Sequence, residues 1–227
     1  LGFEEAAALP MNYLTAYYAL VQRAGVHAGE SVLVTGATGG VGIATIQVAR
    51  GLGCHVVALV SSEARRAAAE QAGAHAVVAL DADPSPVAAV KAVSSGGVDV
   101  AVDVVGGDVT DLLRCLRAFG RLMIVGFASG QIATVRTNRL LLTNTDVRGV
   151  ESARMFDDGQ TQNAWDRLMT MVEQGHVRPL VRAGGGLDDY RGVLDGLAAR
   201  SMPGRAVLSV GKSGTQPAPP LGRVRRS

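Results

Sequence analysis

Two cysteines in 227 residues, Cys54 and Cys115, give neither a disulfide framework nor a zinc-ligand spacing, and they point to a reducing, cytoplasmic compartment. Aromatic residues are equally scarce, at 4%. With 48% hydrophobic residues, 19% charged ones and abundant alanine, valine and glycine, the composition favours a soluble α/β protein over a disordered chain or a β-sandwich. No apolar run approaches the roughly 20 residues that would cross a bilayer, so no membrane partner is expected. An initiating methionine and a signal peptide are also missing: the chain starts at Leu1 and enters a helical pattern at once, as the downstream part of something longer would.

Neither sign of charge dominates. The net charge of +2 comes from the last 17 residues, which hold Lys212, Arg223, Arg225 and Arg226 and no acid; without them 18 basic residues face 20 acidic ones. Residues 211–227 also carry three prolines and no apolar periodicity, so they read as a disordered, solvated tail. No nucleic-acid partner is expected from so short a basic segment.

What the chain does have is alternation. The segments "SVLVTG", "HVVALV", "AVVAL", "VDVAVDVV", "RLMIVGF" and "DVRGV" are valine-rich and mostly continuous, as strands buried on both faces should be. Helical patterns separate them at 41–52, 62–72, 84–95 and 108–118, with a shorter turn around 138–142. A helix over 161–175, a strand at "PLV", a helix over 187–200 and a strand "AVLSV" follow. Such alternation predicts an α/β fold with a doubly wound parallel sheet.

The stretch "SVLVTGATGGVGIATIQVAR" places a glycine turn between the first strand and its helix. Backbone amides at such a turn point at a pyrophosphate, and the helix dipole assists. Gly39 and Gly40 let phosphates approach the backbone, and Gly42 lets the helix pack closely. The second strand then ends at Val60, where an NAD enzyme carries an acid. Ser61, Ser62 and Arg65 follow and suit a 2′-phosphate, which predicts NADPH. Two features oppose this: Ser62 could merely cap a helix, and Glu63 could lie beside the phosphate.

The turn satisfies two patterns, TGxxxGxG of short-chain dehydrogenases and A-x-G-G-V-G of medium-chain reductases. The first also needs a tyrosine with lysine four residues later, and none of Tyr13, Tyr17, Tyr18 and Tyr190 has one. The second fits further. "AAALPMNYLTAYYAL", "GESVLVTGATGGVGIATIQVARGLG", "VDVAVDVVGG", "FGRLMIVGFASG" and "MPGRAVLSV" resemble, in order and spacing, the zinc-independent quinone oxidoreductase or zeta-crystallin-like group of medium-chain reductases.

That resemblance implies a Rossmann domain with remnant strands and a helix of a GroES-like lobe. It divides the chain into a lead-in helix and hinge (1–30), an NADP-binding domain (31–177), a return to the catalytic lobe (178–210) and the tail (211–227). It assigns Gly39, Gly40 and Val41 to the pyrophosphate and Ser62 and Arg65 to the 2′-phosphate. Val105 and Gly106 would flank the nicotinamide ribose, Gly126 and Phe127 would lie beside the nicotinamide, and Arg200 is a candidate cofactor contact. An aromatic common in relatives is Leu80 here. The implied activity is hydride transfer from NADPH to a quinone or an α,β-unsaturated carbonyl, by a homodimer joined through the edge strand near 146–150.

The N-terminal GroES-like lobe of the group has no counterpart in the sequence. Apolar surface around Phe127 and the lead-in helix, with Leu14 and Tyr18, is therefore expected to be exposed. No catalytic residue is identifiable. The four histidines lack metal-ligand spacing, and no metal is expected. Two other readings stay open: a non-catalytic nucleotide-binding sensor or partner module, and an enoyl-thioester reductase.

Overall fold

The computed structural model describes residues 1–151, 153–154, 159–199 and 202–210. Six parallel strands form its main sheet: β1 (Ser31–Thr35), β2 (His55–Val60), β3 (Ala76–Ala79), β4 (Val98–Asp103), β5 (Leu116–Ile124) and β6 (Asp146–Gly149). Their order is β3-β2-β1-β4-β5-β6. Between them lie α3 (Gly40–Gly51), α4 (Arg66–Gln71), α5 (Pro86–Val93), α6 (Thr110–Cys115) and α7 (Thr137–Thr143).

The continuous apolar runs have the cause expected of them. Side chains alternate across a strand, so β1 sends Val32 and Val34 into one core and Leu33 into the other. Likewise β2 sends Val56, Ala58 and Val60 to the first and Val57 to the second. Both faces are covered, as a doubly wound sheet requires. Each fully buried valine or leucine contributes about 1.5–3 kcal/mol relative to exposure.

The lead-in segment breaks at Pro10 into α1 (Phe3–Ala8) and α2 (Pro10–Tyr17), and a π-helical turn follows over Tyr18–Ala24. Pro10 opens α2 where its missing N–H costs nothing. The π turn ends at Gly25 in the left-handed region. Arg121 of β5 closes it, donating from Nε to the Ala24 carbonyl and from Nη2 to that of Gly25, while Glu30 pairs with the same guanidinium.

The helix expected over 108–118 stops at Cys115, and β5 starts immediately at Leu116. Phe119 has a φ of 64°, which a right-handed helix cannot contain. The Arg117 guanidinium also donates to the carbonyls of Ser94 and Gly97, drawing the segment onto the start of β4.

After β6 come α8 (Thr161–Glu173), β7 (Val181–Gly186), α9 (Tyr190–Ala198) and β8 (Arg205–Ser209). The strand expected at "PLV" begins at its last residue and runs on to Gly186. β7 and β8 pair in parallel as a separate two-stranded sheet. None of the residues of α9 is buried. Leu187, Tyr190, Leu194 and Leu197 recur at helical spacing and are 44–57% exposed, so an apolar stripe lies open on this sheet.

Candidate functional site

The strand order reverses between β1 and β4, and the loops following these strands open a crevice at the carboxyl end of the sheet. The glycine turn forms its centre. Gly36 leaves β1 with a φ of 55°, and the Gly39 amide donates to the Gly36 carbonyl at 2.9 Å. α3 then starts at Gly40 with no side-chain cap. The amides of Gly40, Val41 and Gly42 occupy its first turn and have no intrahelical acceptor. Gly39 is exposed, and Gly40 and Val41 are half-buried. At Gly42 a β-carbon would stand 2.2 Å from the Gly36 carbonyl oxygen, so no other residue fits. At Gly40 it would meet the Asn12 side chain at 2.5 Å, whereas at Gly39 nothing comes nearer than 3.4 Å.

At the outer end of the crevice, β2 finishes at buried Val60, followed by exposed Ser61 and half-buried Ser62. The Ser62 hydroxyl caps no helix end. Arg65 reaches back to the glycine turn, with Nη1 donating to Thr38 Oγ1 at 3.1 Å. Glu63 is occupied elsewhere: Arg66 grips both its carboxylate oxygens and holds it below the usual carboxylate range. Arg66 also donates to the Val77 carbonyl at 2.9 Å, so the two neighbouring arginines have different tasks. The Glu63 amide donates to Asp81 Oδ1 at 2.9 Å, which brings to this rim an acid that the sequence reading passed over. Leu80, 48% exposed, supplies an apolar wall beside it.

The inner end is organised by a residue that carried no signature of its own. Asp103, the last residue of β4, is 1% exposed. It accepts hydrogen bonds from Thr35 Oγ1 at 2.6 Å, the Val105 amide at 3.1 Å and the Gly106 amide at 3.0 Å. Thr35 in turn accepts from the Val104 amide at 3.2 Å. The loop after β5 is laced onto this one: the amides of Ala128 and Ser129 donate to the carbonyls of Val104 and Val105. Gly106, with a φ of 79°, has no room for a side chain, because a β-carbon there would lie 2.4 Å from the Gln131 carbonyl oxygen and 2.9 Å from the Phe127 ring.

Val105, Gly106, Gly126 and Phe127 are thus brought together, as are Gly39, Gly40, Val41 and Arg65 with Ser61 and Ser62 on the adjoining loop. Arg200 and residues 211–227 lie outside the described residues. Beyond Phe127 opens a cleft of about 570 Å³ bordered by Tyr18, Arg23, Val125, Glu151 and Arg154. Phe127 is 46% exposed, as anticipated, but Leu14 and Tyr18 are 6% and 8% exposed. They are spent on packing the lead-in helix into the core; the lead-in segment exposes Phe3 and Met11 instead, and further open apolar surface lies on α7 and α9. Among the described residues no three His, Cys, Asp or Glu side chains gather into a metal-holding group. Cys54 and Cys115 are buried, and burial pushes each thiol up to about 11.

Known proteins are similar to this chain in sequence and fold. The profile of the zinc-binding dehydrogenase family matches residues 40–173. Quinone oxidoreductase-like protein 2 of Bos taurus is 35% identical over 214 residues, spanning 92% of this chain and 61% of that protein. A probable oxidoreductase from Mycobacterium abscessus superposes with a TM-score of 0.81 at 34% identity, over 92% of this chain and 63% of that one. The quinone oxidoreductase of Thermus thermophilus, solved also in complex with NADPH, gives a TM-score of 0.78 at 31% identity, over 90% of this chain and 65% of that one. The chain therefore spans less than two thirds of the length of each.

Proposed function

This chain belongs to the zinc-independent, quinone oxidoreductase-like group of the medium-chain dehydrogenase/reductases, and we infer that it is the cofactor-binding part of an NADPH-dependent oxidoreductase. The observation that carries the reading is Arg65, held 3.1 Å from Thr38 of the glycine turn, on a rim where Val60 replaces an acid. The donor set suits the cofactor: uncapped amides of Gly40 and Val41 for the pyrophosphate, and Ser61, Ser62 and Arg65 for the 2′-phosphate.

Bound NADPH would supply the hydride, with a quinone or an α,β-unsaturated carbonyl as acceptor. The chain's own part is positional. Asp103 and Thr35 fix the Val104–Gly106 loop, and that loop with Gly126 and Phe127 would hold the nicotinamide at the mouth of the cleft. The domain division at about 178 follows: the sheet carries the cofactor, and β7, β8 and α9 lead towards a substrate lobe. The reading also includes a cytoplasmic location and a homodimer joined through β6, which among the described residues pairs on one side only, with β5. Val147→Pro should then shift the protein towards monomer in light scattering.

Cofactor titration followed by nicotinamide fluorescence tests the central claim. NADPH should bind more tightly than NADH, and Arg65→Ala should remove most of the difference. A charge-assisted contact of about 1.5–3 kcal/mol corresponds to a roughly 10- to 150-fold change. Equal affinity of the wild type for both cofactors would refute the assignment.

A further inference from the structure

Asn12, on the face of α2 that packs against α3, is only 8% exposed. Its carboxamide has no hydrogen-bond partner among the described residues. Its atoms are not among the fully buried unpaired ones, so the amide is open to a partner from outside the protein, whereas the neighbouring network is satisfied internally. Tyr13 donates to Gln47 Oε1 at 2.8 Å, Gln47 donates to the Arg178 carbonyl at 2.8 Å, and the Arg178 amide returns a bond to Gln47 Oε1 at 2.9 Å.

The Asn12 amide faces the start of α3. A β-carbon placed on Gly40 would stand 2.5 Å from Asn12 Nδ2 and 3.4 Å from its Oδ1. Beside them lies a recess of about 10 Å³, bordered also by Ile43, Leu180, Gly204 and Arg205. That is about the room one water occupies. The Gly204 amide donates to the Thr38 carbonyl at 2.9 Å, which holds the segment leading into β8 beside the glycine turn at one side of the recess. Its walls are largely apolar, so its polar character comes from Asn12 and from the uncapped first turn of the 12-residue α3, and no acid is among the lining residues.

We propose that Asn12 is a cofactor-binding residue whose Nδ2–H, through one water held in this recess, donates to a pyrophosphate oxygen of the dinucleotide. The contact rests on the cofactor reading above but concerns only the pyrophosphate. A ligand that carries the 2′-phosphate and lacks the pyrophosphate should therefore be indifferent to it. If Asn12 merely packed α2 against α3, its loss would act through the fold and weaken every ligand alike.

The experiment is calorimetric titration of the 227-residue chain with NADPH and with adenosine 2′-monophosphate, for wild type, Asn12→Ala and Asn12→Asp. Circular dichroism would report the folded state of each. Asn12→Ala should weaken NADPH about 3- to 10-fold, the range of one neutral hydrogen bond. Asn12→Asp, which turns a carboxylate towards the phosphates, should cost more than about 10-fold. Affinity for adenosine 2′-monophosphate should be unchanged in both. Parallel loss of both ligands, or an Asn12→Asp protein that binds NADPH as the wild type does, would overturn the contact alone. A wild type that binds neither ligand would overturn the cofactor reading and the contact with it.

Discussion

Replacing Asp103 with alanine should be among the most damaging single changes available at the crevice. The side chain is 1% exposed and accepts from Thr35 Oγ1, from the Val105 amide and from the Gly106 amide. Truncation strands three donors, the Thr35 hydroxyl in a buried position and two amides on the backbone of one half-buried loop. Hydrogen bonds to a charged group contribute about 1.5–3 kcal/mol each, but the carboxylate's own burial cost disappears with it. A net loss of about 3–5 kcal/mol is the reasoned outcome, near the upper end for point substitutions. For a chain of this length that lowers the melting temperature by roughly 6–20 °C. Asp103→Asn keeps one acceptor and should cost about 1–3 kcal/mol. Urea denaturation with fitted slopes measures both, and a cycle with Thr35→Val isolates the 2.6 Å bond. Hydrogen exchange should accelerate at Val105 and Gly106 first. An Asp103→Ala protein within about 1 kcal/mol of wild type would refute the view that this carboxylate holds the loop.

Gly42→Ala should prevent stable folding or force the glycine turn apart, since its methyl would lie 2.2 Å from the Gly36 oxygen; a soluble, cooperative Gly42→Ala protein would contradict that geometry. Gly39→Asp, where a β-carbon fits, should keep the circular dichroism spectrum and abolish NADPH binding; retained binding would put the pyrophosphate elsewhere. His75 accepts the Val56 amide through Nδ1 at 2.9 Å, and partial burial, with the Arg50 and His55 charges adding, lowers its pKa. Its contribution is therefore complete above the ordinary value near 6.5 and is lost as the pH falls below it. Urea midpoints should drop between neutral and mildly acidic pH, and His75→Gln should flatten that dependence; an unchanged slope would exclude His75 as its source.

The sheet and the glycine turn were legible in the sequence because both are local. A valine run such as 32–34 is buried on both faces wherever it lies in a parallel sheet, and a strand, a glycine turn and a helix follow one another within about 20 residues. The charge that follows Val60 was legible too, though not its division of labour: whether Arg65 or Arg66 serves the crevice depends on Glu63, Thr38 and the Val77 carbonyl, which only the fold assembles. Asp103 and Thr35 stand 68 residues apart, and an aspartate ending one strand has no pattern until the neighbouring strand brings it a hydroxyl. The burial of Leu14 and Tyr18 was misjudged for the same reason. An amphipathic lead-in helix announces an apolar face but not which surface covers it, and here the sheet's first core takes it while α9 is left open. The asparagine at position 12 is the plainest case: its meaning comes from a missing hydrogen bond and a recess beside Gly40, and both are properties of packing that no residue carries alone.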